Sequence, residues 1–112
     1  MNVCELVPKP EDFEIFKRNR MRYIPDKAGC YVLTTFTREV LYLGLTNNLR
    51  RRMNEHLDDP SKTGQSIKGR AIFFYWFLNE ELNKIERTWQ NIHIQHEGVL
   101  PEFNKIYSPI GI

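Results

Sequence analysis

The sequence predicts an α+β fold: a small three-stranded antiparallel sheet flanked by helices, in the order β-β-α-β-α. Three observations carry this reading. Residues 30–43 hold two β-branched and aromatic runs joined by a short polar turn. Residues 49–57 switch to apolar spacing of four, the buried stripe of an amphipathic helix. Residues 71–78 then form an apolar run of strand length, followed by a second helical period to Gly98.

Residues 1–25 hold three prolines and a charged stretch around Phe13, Ile15 and Phe16, read as a short helix or turn that is loosely ordered at its start. Ala28-Gly29 opens the first strand, Cys30 to Phe36, whose β-branched and aromatic content suits a sheet. Thr37-Arg38-Glu39 is the hairpin turn, and Val40 to Leu43 the second strand. Thr46 or Asn47 is a suitable cap for the first helix, whose stripe is Leu49, Met53 and Leu57. Asp58-Asp59-Pro60 ends it, and the polar stretch from Ser61 to Gly69, with two glycines, is a mobile loop. The third strand, 71–78, is nearly continuous in apolar residues, which implies burial on both faces. Asn79 caps the second helix, with Glu80 and Glu81 in its first turn. Leu82, Ile85, Trp89, Ile92 and His96 make its packed face, and Gly98 stops it. The tail from Leu100 to Ile112 reads as irregular.

The chain has 112 residues, a prior for one domain spanning 1–112. No apolar run approaches the roughly 20 residues of a membrane span. The N-terminus lacks the basic-then-apolar pattern of a secretory signal. A cytoplasmic protein without a membrane partner is therefore expected. Cys4 and Cys30 are too few for a disulfide scaffold or a structural zinc site and read as free thiols. The net charge is only +2, but residues 17–70 hold 12 Lys/Arg against 5 Asp/Glu, and the rest of the chain 4 against 9. A basic middle between acidic ends suggests a polyanion-facing surface, although chance clustering on a solvated surface gives the same count.

Chemistry-bearing residues follow in order along these elements. Gly29-Cys30-Tyr31 opens the first strand and Tyr42-Leu43-Gly44 closes the second. Thr46, Asn48, Arg52 and His56 follow, then Glu86 with Trp89-Gln90, then Asn104. This ordered set resembles the GIY-YIG nuclease family over about residues 28–104. Cys30 and Leu43 stand where the family usually has Ile or Val. The resemblance implies the small three-stranded sheet with flanking helices already read from periodicity. It also implies a divalent-cation-dependent endonuclease that hydrolyses DNA phosphodiester bonds. Mg²⁺, or Mn²⁺ in its place, would be held by Glu86. Tyr31 would assist deprotonation of the attacking water, with Tyr42 in support.

Each position has a plainer reading beside this one. Tyr31 and Tyr42 also fit ordinary strand aromatics. An unperturbed phenol, with a pKa of about 10, needs positive charge or a relay to act as a base, so His56 and Tyr42 stay open for that role. Gly29 and Gly44 are either turn residues or leave room for a backbone phosphate. Arg50 and Arg51 fit a solvated, phosphate-contacting face. Arg52 borders the buried stripe and shares a face with His56 at i+4, where a guanidinium can grip phosphate oxygens. Glu86 borders the buried face of its helix, where an unpaired carboxylate is costly unless a cation offsets it. Thr46, Asn48 and Asn104 read as substrate-binding or structural positions. His93 and His96 lack metal-ligand partners at suitable spacing. Residues 73–77 suit core packing better than base stacking. Glu86-x-x-Trp89-Gln90 also resembles members that cut branched DNA.

The rival functions are a nucleic-acid-binding module that keeps the fold without cleaving, and a nuclease subunit directed by a targeting protein. RNA stays open as a substrate.

Overall fold

The computed structural model describes residues 1–59 and 66–105, apart from the side chains of Leu82 and Lys105. The loop expected at 61–69 therefore lies largely outside the described residues, as does the tail beyond 105. Four strands form one antiparallel sheet among the described residues: β1 (Asp12–Ile15), β2 (Gly29–Thr34), β3 (Val40–Thr46) and β4 (Phe73–Leu78), in the order β1-β4-β2-β3. Helix α1 (Leu49–Asp58) follows β3 and α2 (Leu82–Glu97) follows β4. No helix among these residues is long and apolar enough to cross a membrane.

The α+β class holds, with one strand more than expected. Asp12-Phe13-Glu14-Ile15 alternates polar and apolar residues, the period of a half-exposed strand, and pairs with β4 from Asp12↔Trp76 to Ile15↔Phe73. The proline content around it obscured that short signal. The N-terminal segment is tied down rather than loose. Met1 Val3 and Leu6 are buried, and the Met1 ammonium donates to Glu39 and Glu97 at 2.6 and 2.9 Å.

The two sheet faces carry different contents because strand side chains alternate. Cys30, Val32, Leu43, Leu45, Phe73 and Tyr75 pack with Trp89 of α2. Tyr31, Leu33, Tyr42, Phe74 and Trp76 pack with Leu49 and Met53 of α1. β4 lies between β1 and β2; it starts at Phe73 rather than residue 71, and the expected burial on both faces holds for 73–76 but not for the half-buried Phe77 or the exposed Leu78 at its end. Leu41 is the extra residue where the β2–β3 register shifts, which lets Tyr42 face Leu33 and join the α1 side.

Both helix starts lie later than read from sequence. Asn48, rather than Thr46 or Asn47, caps α1, its Oδ1 accepting from Arg51 N at 3.0 Å. Asn79 forms a turn ahead of α2, accepting from Glu81 N at 2.5 Å. Glu81 then becomes the cap residue, without a capping side-chain bond, so neither Glu80 nor Glu81 lies in the first turn. On α2 the buried histidine is His93, and His96 is exposed opposite Glu5 at 3.8 Å. His93 lies four residues after Trp89 on the sheet-facing side, whereas Gly98, in the left-handed conformation at φ 78°, closes the helix just past His96.

Candidate active site

Tyr31 points from β2 towards α1 and is fully buried. Two residues of α1, one turn apart, converge on its hydroxyl. Arg52 Nε donates to it at 3.1 Å, and His56 Nε2 lies 2.8 Å from it. With the guanidinium donating into the phenol oxygen, His56 Nε2 and the Tyr42 hydroxyl are the two groups that can take a bond from the phenol proton. Tyr42 lies beside them, its ring centre 5.7 Å from that of Tyr31 and 5.4 Å from that of His56. Phe74 stacks on the Tyr31 ring at 5.1 Å. Burial pushes the Tyr31 phenol well above its ordinary pKa; neighbouring Tyr42 adds to this and Arg52 opposes it. Tyr31 is therefore a neutral phenol at pH 7, held between a cationic donor and a histidine.

Arg52 is itself held on two sides. Beyond the Tyr31 bond, Nη1 donates to Glu55 Oε1 at 3.0 Å. These bonds raise its pKa against the effect of burial, so it stays cationic. Glu55 also approaches Arg51 Nε at 3.6 Å. A carboxylate at i+3 from Arg52 is ordinary helix-surface chemistry, and its role appears only once the Arg52 side chain is seen bent towards Tyr31.

Gly44 is what allows this geometry. It faces Tyr31 across the β2–β3 ladder, and a Cβ there would lie 2.6–2.7 Å from three atoms of the phenol. At Gly29 a Cβ would meet the Phe77 carbonyl oxygen at 2.8 Å and Leu49 Cδ1 at 3.0 Å. The space freed by both glycines is thus filled by protein, not left open for a phosphate.

A family model for the GIY-YIG catalytic domain matches residues 27–97, more than half of the chain. The chain belongs to the GIY-YIG family. A UvrABC system protein C from Mesoplasma florum is 27% identical over 66 residues, which is 57% of this chain and 11% of that protein. The chain thus spans about a tenth of the length of that curated relative.

The structure brings four of the GIY-YIG motif residues together: Tyr31, Tyr42, Arg52 and His56. Glu86 comes to β2 from the other side. It is half-buried on α2 beside the Cys30 thiol, one residue from Tyr31 along the strand but on the opposite face. Among the described residues, none of the hydrogen bonds around Tyr31 reaches it. Desolvation raises the Glu86 pKa, and no cation among the described residues acts against it. Burial and the adjacent carboxylate push the Cys30 thiol up to about 12, so it stays protonated. A half-buried carboxylate without a counter-charge among the described residues suits a cation ligand. No group of three or more His, Cys, Asp or Glu able to hold a metal occurs among the described residues, so Glu86 would be a lone protein ligand.

The remaining motif positions brace this framework. Thr46 is buried, its hydroxyl accepting from Asn48 N at 3.1 Å and donating to Asn48 O at 3.2 Å. Asn48 also bonds Asp26 through its amide. Asn104 accepts from Leu43 N at 2.8 Å and donates to Leu43 O at 2.9 Å, closing the open edge of β3 as a strand would. Arg50 donates to the Ile24 carbonyl at 3.0 Å and Arg51 to Asn47 Oδ1 at 2.7 Å. Arg51 is exposed, as a solvated face requires, while Arg50 is half-buried against the turn before β2. Asp26 and Glu55, which hold Asn48 and Arg52, carry no sequence signal beyond being acidic and near a basic run.

Proposed function

We propose that this chain is a divalent-metal-dependent endonuclease that hydrolyses DNA phosphodiester bonds. The observation that carries the reading is the convergence of Arg52 and His56 on one buried phenol. Three residues from two elements, β2 and α1, meet in a geometry that moves a proton and presents a cation, and packing alone does not require either.

His56 is the group that receives the proton. The Tyr31 phenol is too weak an acid to stand ionised at pH 7, so it acts by handing its own proton to His56 Nε2 as it takes one from the attacking water, whose oxygen bonds to phosphorus. Arg52 stabilises the phenol oxygen while that transfer proceeds. Its Nη2 makes no bond to the protein among the described residues and is free to donate to a phosphate oxygen, where negative charge develops during in-line attack. Glu86, on the opposite face of β2 from Tyr31, would hold the cation, Mg²⁺ or Mn²⁺, which when bound would supply Lewis-acid chemistry. Tyr42 packs against both Tyr31 and His56 and keeps their rings in register.

Targeting is a separate matter. The Mesoplasma florum relative is named as one protein of a system and is far longer than this chain, which supports a reading in which a partner protein directs the nuclease. The test of the chemistry is Glu86→Gln. That variant keeps shape and helix propensity and removes the charge that holds the cation. It stays folded and binds DNA, but loses cleavage, and wild-type protein treated with chelator behaves the same way. Wild-type cutting by Glu86→Gln, or in the presence of chelator, defeats the assignment. A pure binding module would show no cutting with either cation.

A further inference from the structure

A strongly basic turn lies just before the part of the chain that the family model covers. Lys17, Arg18, Arg20 and Arg22 are four cations within six residues, on the 3-10 turn Arg18–Tyr23 and its leading residue. The turn is strapped to α1, the helix that carries Arg52 and His56. Arg18 donates to Asn54 and Asp58 at 2.5 and 2.6 Å, and Arg50 donates to the carbonyl of Ile24. Backbone bonds from Leu49 N to Lys27 O and from Arg50 N to Pro25 O continue the attachment.

The turn ends in Tyr23, which is 49% exposed. Two guanidinium groups lie over its ring, Arg20 at 5.6 Å and Arg22 at 5.0 Å from the ring centre. They are held differently. Arg20 is anchored to Glu14 of β1 at 3.3 Å. Arg22 is exposed and has no ion pair among the described residues. A guanidinium without an anion, resting on a half-exposed aromatic ring, has a natural exchange: it moves to a phosphate, and the ring face it leaves takes a base.

From this juxtaposition we infer that Tyr23, with Arg20 and Arg22, is a contact site for an unpaired nucleotide of the DNA strand. Arg22 grips a phosphate and Tyr23 stacks on the attached base. The inference rests on the nuclease reading for its choice of DNA. It goes beyond that reading by assigning recognition of strand form to a segment outside the catalytic domain match. A duplex keeps its bases stacked inside and offers this site phosphates only. A strand with unpaired bases offers both.

Binding of labelled oligonucleotides, followed by fluorescence anisotropy in the presence of chelator, tests this without turnover. Tyr23→Ala weakens binding of a single-stranded oligonucleotide by roughly tenfold or more, the scale of one lost base–aromatic stack. Its affinity for a duplex of the same length changes by less than about twofold. Tyr23→Phe restores single-strand binding because the π-face is kept. Tyr23→Leu replaces Tyr23→Ala if the alanine variant loses its melting transition, since it keeps bulk without the stack. Arg22→Gln lowers the salt slope of single-strand binding by about 0.7, one phosphate contact. Unchanged single-strand affinity in Tyr23→Ala overturns the inference, and so does an equal loss on both forms, which would mark Tyr23 as shaping the turn. Wild-type cleavage of the duplex with Mg²⁺ is measured alongside. If cleavage is intact and Tyr23 is neutral, only the present inference falls. If wild-type protein neither binds nor cuts any DNA, the nuclease reading falls with it.

Discussion

A single methyl group placed at Gly44 tests whether the glycine exists for the buried phenol. The Cβ of Gly44→Ala would sit 2.6 Å from Tyr31 Cζ and 2.7 Å from both Cε1 and the hydroxyl oxygen. Ordinary contact at such a position begins near 3.4 Å, so the ring must retreat by roughly 1 Å. Phe74 stacks on that ring at 5.1 Å with its plane only 10° away, which leaves little room to yield. Overpacking of this kind costs about 1–3 kcal/mol. For a domain near this size, that lowers the melting temperature by about 4 °C or more per kcal/mol. The same 1 Å shift breaks the 2.8 and 3.1 Å bonds to His56 and Arg52. A misplacement of about 1 Å at a reacting group can cost roughly 10²-fold in rate. The assay is a double-mutant cycle: thermal melts and single-turnover cleavage for Gly44→Ala, Tyr31→Ala and the pair. Removing the phenol leaves the methyl nothing to strike, so the stability cost of Gly44→Ala should largely vanish in the Tyr31→Ala background. Additive costs would refute the reasoning, as would a Gly44→Ala protein that melts and cleaves like wild type.

Two further predictions concern the framework. Asn104→Ala removes both bonds to Leu43 and destabilises the protein by about 1–3 kcal/mol, read from chemical denaturation; Asn104→Asp is no better, because a carboxylate repels the Leu43 carbonyl it replaces a donor to. The second is acid sensitivity from the cluster joining the Met1 ammonium, Lys68, Glu39 and Glu97. Hydrogen bonds from that ammonium and from Lys68 hold the Glu97 carboxyl down to about 2, and Glu39 shifts in the same direction even though burial opposes it. A folded pKa below the unfolded 4.5 means the stabilisation is complete above about pH 4.5 and is lost as pH falls towards 2. The melting temperature should therefore fall across that window, and Lys68→Met should flatten the fall; an equally steep fall in Lys68→Met would remove the cluster as its cause.

What was legible in the sequence was whatever depends on period and on short-range order. The hairpin, both helices, the buried β4 and the Gly98 stop follow from alternation, spacing and one left-handed position. β1 was present in the letters as Asp12-Phe13-Glu14-Ile15, but four residues among prolines make a weak period, and their pairing with β4 is a contact across 58–64 residues of chain. His93 and His96 show a finer limit. Both fall near the apolar face of α2, and which one is buried depends on how the helix rolls against the sheet, not on spacing. Of the site, the convergence of Tyr31, Arg52 and His56 could be anticipated from a strand and a helix meeting through the i and i+4 positions. The partners of Arg52 and Asn48, Glu55 and Asp26, could not, since each is one acidic residue among several near a basic run. The function of the glycines was legible only as freedom from a side chain. Which neighbour takes that freedom is a tertiary fact.

The Tyr31 environment also decides how a proton can travel. Were the phenol exposed, with Arg52 beside it, positive charge would favour its ionised form and the residue could serve as a base by itself. Burial works the other way and dominates here, leaving the phenol protonated with its pKa raised. Three side chains hydrogen-bond the phenol: Arg52, His56 and Tyr42. Arg52 Nε–H can only donate, so it occupies the phenol oxygen as an acceptor. In the tautomer that carries its proton on Nδ1, the neutral His56 imidazole offers a lone pair at Nε2 to the phenol proton. A proton accepted at the phenol oxygen is matched by one delivered to the imidazole, and Arg52 stabilises the oxygen between the two events. The buried phenol thus need not ionise at rest in order to act. His56, which can take a proton at one ring nitrogen and release one from the other, stands at the end of the path.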